Sequence, residues 1–232
     1  MPADAAHPDL VRDLAHVDAW IFDLDNTLYP ASCNLFALID ARMTDYIARL
    51  KACDHDEAYR HQKAYFRDHG TTLSGLIEEH DTDPHDFLDY VHDVALDRVD
   101  HDARLVDAIA ALPGRKLVFT NGDAPYAQRV LDRIGLGTSF EGVHDIHAMA
   151  YVPKPAPASY AAMCARWDID PKRALFAEDM ARNLIPAKAI GMTTLWIDNG
   201  SDQASGEACA SFIDHRTPQL TDWLHALTRE MA

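Results

Sequence analysis

The sequence predicts an α/β fold: a parallel sheet covered by helices on both faces, with an all-helical segment inserted after the first strand. Three observations predict it. Short apolar runs recur along the chain, at Ala19-Trp20-Ile21-Phe22, Lys116 to Thr120, Ala174 to Ala177 and Thr193 to Ile197. The later runs are separated by stretches of helical length and periodicity. Between about residues 31 and 98 no strand-like alternation occurs, and apolar residues repeat at helical spacing instead. The core is therefore expected over residues 1–30 and 99–232, and the helical insert over 31–98.

In chain order, residues 1–16 are polar and read as a short lead-in. Val17 to Leu24 forms the first strand, and Pro30 bars its simple continuation. Leu35, Ile39, Met43, Ile47 and Leu50 mark the face of a helix spanning Cys33 to Leu50. A second helix covers Asp56 to His69 and stops before Gly70; a third begins near Leu73. Pro84 opens a fourth, since proline suits a first helical turn, with Phe87, Leu88 and Val91 on one face. The helix from Ala103 to Leu112 is closed by Pro113-Gly114, and the helix from Pro125 to Ile134 by Gly135. Phe140 to Ile146 holds a weak strand, and Pro157 to Trp167 a helix. Ala181 to Ile190 is a helix ended by Gly191. Residues 199–209 read as a loop, Ser211-Phe212-Ile213 as an edge strand and Gln219 to Leu227 as the last helix.

The 232 residues suffice for one large domain or a core with an insertion, and 48% hydrophobic content fits a soluble globular chain. A formal net charge of −16 excludes a non-specific binder of nucleic acid or anionic membrane, because both require basic surface. An anionic substrate would need a locally neutralised site. Cys33, Cys53, Cys164 and Cys209 are spread out with no C-x-x-C, as for reduced thiols in the cytoplasm. Met1 to Leu10 lacks the basic start and apolar run of a signal peptide, and no apolar run is long enough to cross a bilayer. A cytoplasmic protein is expected. The thirteen histidines, His144 and His147 among them, show no standard zinc spacing and read as surface residues.

Chemistry gathers at the strand ends. Asp23 and Asp25 fall where the first strand emerges, the place where open α/β sheets bind ligands. Such a pair suits phosphoryl transfer: Asp23 attacks phosphorus in line, while Asp25 protonates the leaving oxygen and then activates water. Two carboxylates and a phosphate repel one another, so a cation is needed, and Mg²⁺ with its oxygen ligands fits. A chance Asp-x-Asp in a turn is the plain alternative. Thr120-Asn121-Gly122 ends the next strand, with groups that can donate to phosphate or cap the following helix. Lys154, between Pro153 and Pro155, has little backbone freedom; it suits a cation reaching phosphate and nucleophile together, or a surface lysine in a rigid turn. Glu178-Asp179, with Asn183 four residues beyond Asp179, can hold a metal against Asp23 or serve a helix N-terminus.

These groups occur in one order at equivalent strand ends, and there the chain resembles the haloacid dehalogenase superfamily of phosphatases. The four motifs match Asp23-Leu24-Asp25-Asn26-Thr27, Thr120-Asn121, Lys154 and Glu178-Asp179. The resemblance implies a Rossmann-like three-layer core with an inserted all-helical cap. It implies that Asp23 is nucleophile and metal ligand, and that Asp25 is acid and base, its backbone carbonyl also binding Mg²⁺. Thr120 and Lys154 would hold the phosphoryl group, and Glu178, Asp179 and Asn183 would complete the metal site. An aspartate at position 25 disfavours the dehalogenase branch, which needs no acid there.

The run Phe22 to Pro30 is similar to the pyrimidine 5′-nucleotidase group, as are Gly70 to Leu76, Phe87 to Asp93 and Ala181 to Leu184. Met180, where serine often stands, and the proline-free Val94 to Arg98 depart from it. The resemblance implies a phosphomonoesterase acting on a nucleoside monophosphate such as UMP or CMP, with Ser74, Tyr90, His92 and Asp93 as candidates to read the base or ribose. Other readings are a sugar-phosphate or phosphoglycolate phosphatase, a phosphomutase, or a non-catalytic phosphate sensor. The sensor is disfavoured because Asp23, Asp25, Thr120, Lys154 and Asp179 are all present.

Overall fold

The computed structural model describes residues 10–200 and 211–231. Six parallel strands form one sheet: β1 (Ala19–Phe22), β2 (Arg115–Phe119), β3 (Gly142–His144), β4 (Ala174–Glu178), β5 (Thr193–Ile197) and β6 (His215–Thr217). Their order, β3-β2-β1-β4-β5-β6, is that of the doubly wound dinucleotide-binding folds. Helices cover both faces. Every residue of β1 and β4 is buried, which is why these strands read as continuous apolar runs without alternation. The buried Trp20 indole donates to the Pro113 carbonyl at 2.7 Å, so its one polar atom is satisfied. The chain runs outward one way from β1 and the other way from β4, so the switch point of the sheet lies between these two central strands.

Between β1 and β2 come helices α2 (Leu35–Lys51), α3 (His55–His69), α4 (Thr72–His80) and α5 (Pro84–His92) without an intervening strand, followed by α6 (Ala103–Ala111). Side chains of Asp54, Thr71 and Asp83 cap α3, α4 and α5 by accepting from backbone N–H groups of their first turns. Gly75 lets α4 settle on α3: a Cβ there would lie 2.6 Å from Cβ of Tyr65. After β2 the helices among the described residues are α7 (Ala124–Ile134), α8 (Pro157–Trp167), α9 (Ala181–Ala189) and α10 (Leu220–Met231). No helix among the described residues is long and apolar enough to cross a membrane.

Three expectations are corrected. The lead-in contains a helical turn, α1 (Leu10–Asp13), because Leu10 and Leu14 bury themselves. The edge strand is His215–Thr217, and Ser211 to Ile213 is not strand. Asp214 accepts from the Thr194 backbone N–H with its side chain, so the chain is anchored there and pairing with β5 starts only at His215. His92 and His144 are buried, not surface residues; burial pushes the His144 imidazole down to about 4. Residues 201–209 of the expected loop lie outside the described residues.

Candidate active site

The ends of β1, β2 and β4 bring Asp23, Thr120, Glu178 and Asp179 together, with Lys154 entering from the segment after β3. Asp23 extends the sheet by one bond, its N–H donating to the Ala177 carbonyl at 2.9 Å. Its side chain therefore leaves the last rung of the ladder directly into the cavity.

Lys154 is buried, and its ammonium uses all three protons. Nζ donates to Asp23 Oδ1 at 2.7 Å, to Glu178 Oε2 at 2.7 Å and to the Phe119 carbonyl at 2.9 Å. Burial works against that charge, but Asp23 and Glu178 outweigh it and hold the lysine above its ordinary value. Asn121 locks the lysine's backbone, donating from Nδ2 to the Lys154 carbonyl at 3.1 Å and accepting the Lys154 N–H at 2.8 Å. The Asn121 amide, expected to meet the phosphate, is thus engaged in placing the lysine. Thr120 accepts from the Gly122 N–H at 3.0 Å, which leaves the hydroxyl hydrogen to donate into the cavity.

Asp23, Glu178 and Asp179 each offer an oxygen, all within 4.8 Å of one another. Three carboxylates against one ammonium leave two negative charges uncompensated at a buried place. The protein shows the strain in its protonation. Burial, with Glu178 close by, pushes the Asp23 carboxyl up to about 8 in spite of Lys154. Burial and Glu178 likewise raise Asp179 well above the ordinary carboxylate range. Two buried oxygens here, Asp179 Oδ2 and Asn183 Oδ1, have no hydrogen-bond partner. Unpaired oxygens and surplus negative charge, all on hard ligands, fit a divalent cation such as Mg²⁺.

Asp25 does not join this cluster. Its Oδ1 accepts from the phenols of Tyr29 at 2.5 Å and Tyr126 at 2.7 Å. Burial raises its carboxyl above the ordinary range, while the two phenols pull the other way.

The cavity has a volume of about 940 Å³ and lies between the strand ends and the inserted helices. Phe36, Met43, Gln62, Lys63, Phe66 and Phe87 line its helical side. Of the four expected specificity residues, only His92 reaches it. Ser74 bonds the capping Thr71 at the start of α4. Tyr90 lies under the guanidinium groups of Arg42 and Arg49, at 4.2 and 3.9 Å. Asp93 is exposed and pairs with Arg42. None of these three lines the cavity; Tyr90, two residues before His92 on α5, is about 200° round the helix from it. Sequence reasoning did not single out Tyr29, Tyr126, Gln62, Lys63 or Phe66. Tyr29 lay within a quoted motif, but the others carry only the ordinary signal of amphipathic helices.

A model of the haloacid dehalogenase-like hydrolases matches residues 17–191. Phosphate metabolism protein 8 of Saccharomyces cerevisiae is 26% identical over 209 residues, covering 82% of this chain; the chain spans 63% of that relative's length. Two solved structures share the fold. The L-2-haloacid dehalogenase of Xanthobacter autotrophicus has a TM-score of 0.58 at 23% identity, covering 93% of this chain and 100% of its own. A HAD phosphatase of Thermococcus onnurineus has a TM-score of 0.62 at 18% identity, covering 93% and 98%. The chain belongs to the haloacid dehalogenase-like hydrolase family.

Proposed function

We propose that this chain is a Mg²⁺-dependent phosphomonoesterase that hydrolyses nucleoside 5′-monophosphates, pyrimidine ones first, through a phospho-aspartate on Asp23. One observation carries the reading. Three buried carboxylates with two partnerless oxygens beside them converge on a lysine fixed from both sides, at the end of a central strand. Nothing in packing calls for that arrangement, and phosphoryl transfer does.

In this reading Asp23, Glu178, Asp179, Asn183 and the Asp25 backbone carbonyl hold the cation. Its chemistry is charge neutralisation on the phosphoryl oxygens. Asp23 attacks phosphorus. Lys154 gives a donor to the phosphoryl group by releasing one of its carboxylate partners, and Thr120 donates its free hydroxyl hydrogen. Asp25 protonates the leaving oxygen and later takes a proton from water. Residues 31–98 serve as a cap that closes the site over a core of 1–30 and 99–232, shielding the reacting groups from bulk water.

Substrate class rests on the cavity. About 940 Å³ is generous for a bare phosphoester, and aromatic Phe36, Phe66 and Phe87 beside polar Gln62 and Lys63 suit a planar base with a hydrogen-bonding edge. The resemblance of Phe22 to Pro30 to the pyrimidine nucleotidases supports the same class, and a yeast relative named for phosphate metabolism agrees with phosphate chemistry in general. The setting expected is the cytoplasm.

The test is phosphate release from a panel of nucleotides and sugar phosphates, with Mg²⁺ and with EDTA. Metal-dependent release greatest on UMP and CMP, reduced at least about 10³-fold in Asp23→Asn, is the expected outcome. Release greatest on sugar phosphates discards the nucleotidase assignment and keeps the mechanism.

A further inference from the structure

Asp25 accepts from two phenols on a single oxygen, and the phenols come from different parts of the chain. Tyr29 lies in the turn after β1, closed by the Leu28 N–H on the Leu24 carbonyl at 3.0 Å. Tyr126 sits in the first turn of α7. Both rings are buried. Tyr126 is itself held on two sides. The Asp123 carboxylate accepts its backbone N–H at 2.8 Å through Oδ1 and meets His92 Nδ1 at 3.1 Å through Oδ2. The His92 ring then stacks on the Tyr126 ring, with centroids 4.3 Å apart and planes at 12°. His92 is the last residue of α5, so the end of the helical insert braces the phenol that touches Asp25.

A carboxyl oxygen has two lone pairs for hydrogen bonds, and here both are taken at Oδ1. A phenol keeps its proton near neutral pH, so both hydroxyls act as donors to Oδ1. Oδ2 is left to the cavity that Asp25 lines. We propose that Tyr29 and Tyr126 are positioning residues that hold Asp25 so that Oδ2 is the oxygen that exchanges a proton with the leaving group. This rests on the phosphomonoesterase reading above.

A bond forms between an Asp23 carboxylate oxygen and phosphorus as the bond from phosphorus to the leaving oxygen breaks. The electron pair of the broken bond stays on the leaving oxygen, which takes the proton from Asp25 Oδ2. Asp25 ends as a carboxylate ready to accept a proton from water, and both phenols keep their own protons.

Tyr126→Phe and Tyr29→Phe keep the buried rings and remove only the hydroxyls. The measurement is kcat/KM of each variant on two monoesters. One is p-nitrophenyl phosphate, whose leaving group departs without a proton. The other is whichever alkyl phosphate the wild-type chain hydrolyses fastest, whose leaving oxygen needs one. A loss of about 10–100-fold on the alkyl ester, against less than about 3-fold on the aryl ester, is expected. Equal losses on both would reduce the tyrosines to packing residues and overturn the inference. If Tyr126→Phe fails to fold, Tyr29→Phe carries the same comparison on the same oxygen. No hydrolysis of any monoester by the wild-type chain overturns the proposed function, and this inference with it. Hydrolysis with equal losses overturns the inference alone.

Discussion

Asp23, Glu178 and Asp179 repel one another around a single ammonium, and that repulsion opposes folding when no cation is present. The sign follows from Asp23, whose carboxyl rises from 3.8 to about 8 on folding. The folded chain then binds the proton more tightly than the unfolded one. The contribution of this group is fully present below pH 3.8 and is lost as pH rises through 8. His144, which shifts down to about 4, acts the opposite way, but it is neutral in both states above its ordinary 6.5. His69, held above its ordinary value by Glu78 and Glu79, acts in the same direction as the carboxylates, so the comparison with Asp179→Asn, not the slope alone, assigns the effect to the cluster. In EDTA, the melting temperature is expected to fall across the window from pH 6.5 to 8.5. Asp179→Asn, which removes one of the crowded charges, is expected to melt higher than wild type at pH 8.5 in EDTA. The same variant should lose most of the stabilisation by Mg²⁺, about 2.7 kcal/mol at one hundred times the dissociation constant in the wild type. Melting curves with and without the ion decide it; equal behaviour of the two proteins removes Asp179 from the proposed metal site.

At the level of elements, α4 crosses α3 at close range through Gly75. A methyl at Gly75 would lie 2.6 Å from Tyr65 Cβ and 2.7 Å from its Cγ, atoms close to the backbone that cannot swing aside. Alanine gains about 1 kcal/mol of helix propensity over glycine. Overpacking of this kind costs about 1–3 kcal/mol, so it wins. Gly75→Ala is expected to lower stability by about 1 kcal/mol in urea unfolding; a gain would mean that Tyr65 repacks. The consequence reaches the cavity, because the same α3 carries Gln62, Lys63 and Phe66 on its wall.

Across the whole molecule the net charge is −16, and on the proposed function the substrate is itself an anion. Like charges slow encounter at long range, and salt screens them within about 10 Å at 0.1 M. On the proposed function, kcat/KM for a nucleoside monophosphate is expected to rise about 2- to 10-fold between 10 and 200 mM salt at constant Mg²⁺. A fall with salt would show that local positive groups, Lys63 and Arg182 at the cavity, dominate the field felt by the substrate.

The amino-acid sequence alone determined the alternation of buried strands and helices, the strand-free stretch after β1 and the strand-end placement of Asp23, Thr120 and Glu178. These follow from local causes: continuous apolar runs, helical spacing, proline at first turns and glycine at ends. Tertiary structure alone decided what those residues do to one another. Lys154 lies far along the chain from Asp23, and only the sheet order β2-β1-β4 brings its ammonium to 2.7 Å from both Asp23 and Glu178. Asn121 became the brace of that lysine, and Ser74, Tyr90 and Asp93 lie outside the lining of the cavity that His92 reaches. Tyr126 lies on an amphipathic helix, and only the packing of α7 sets its hydroxyl on Asp25. A side chain's chemistry is written in its residue type. Its partner depends on helix rotation and strand order, which the whole core sets by burying apolar surface, so no local stretch of sequence contains it.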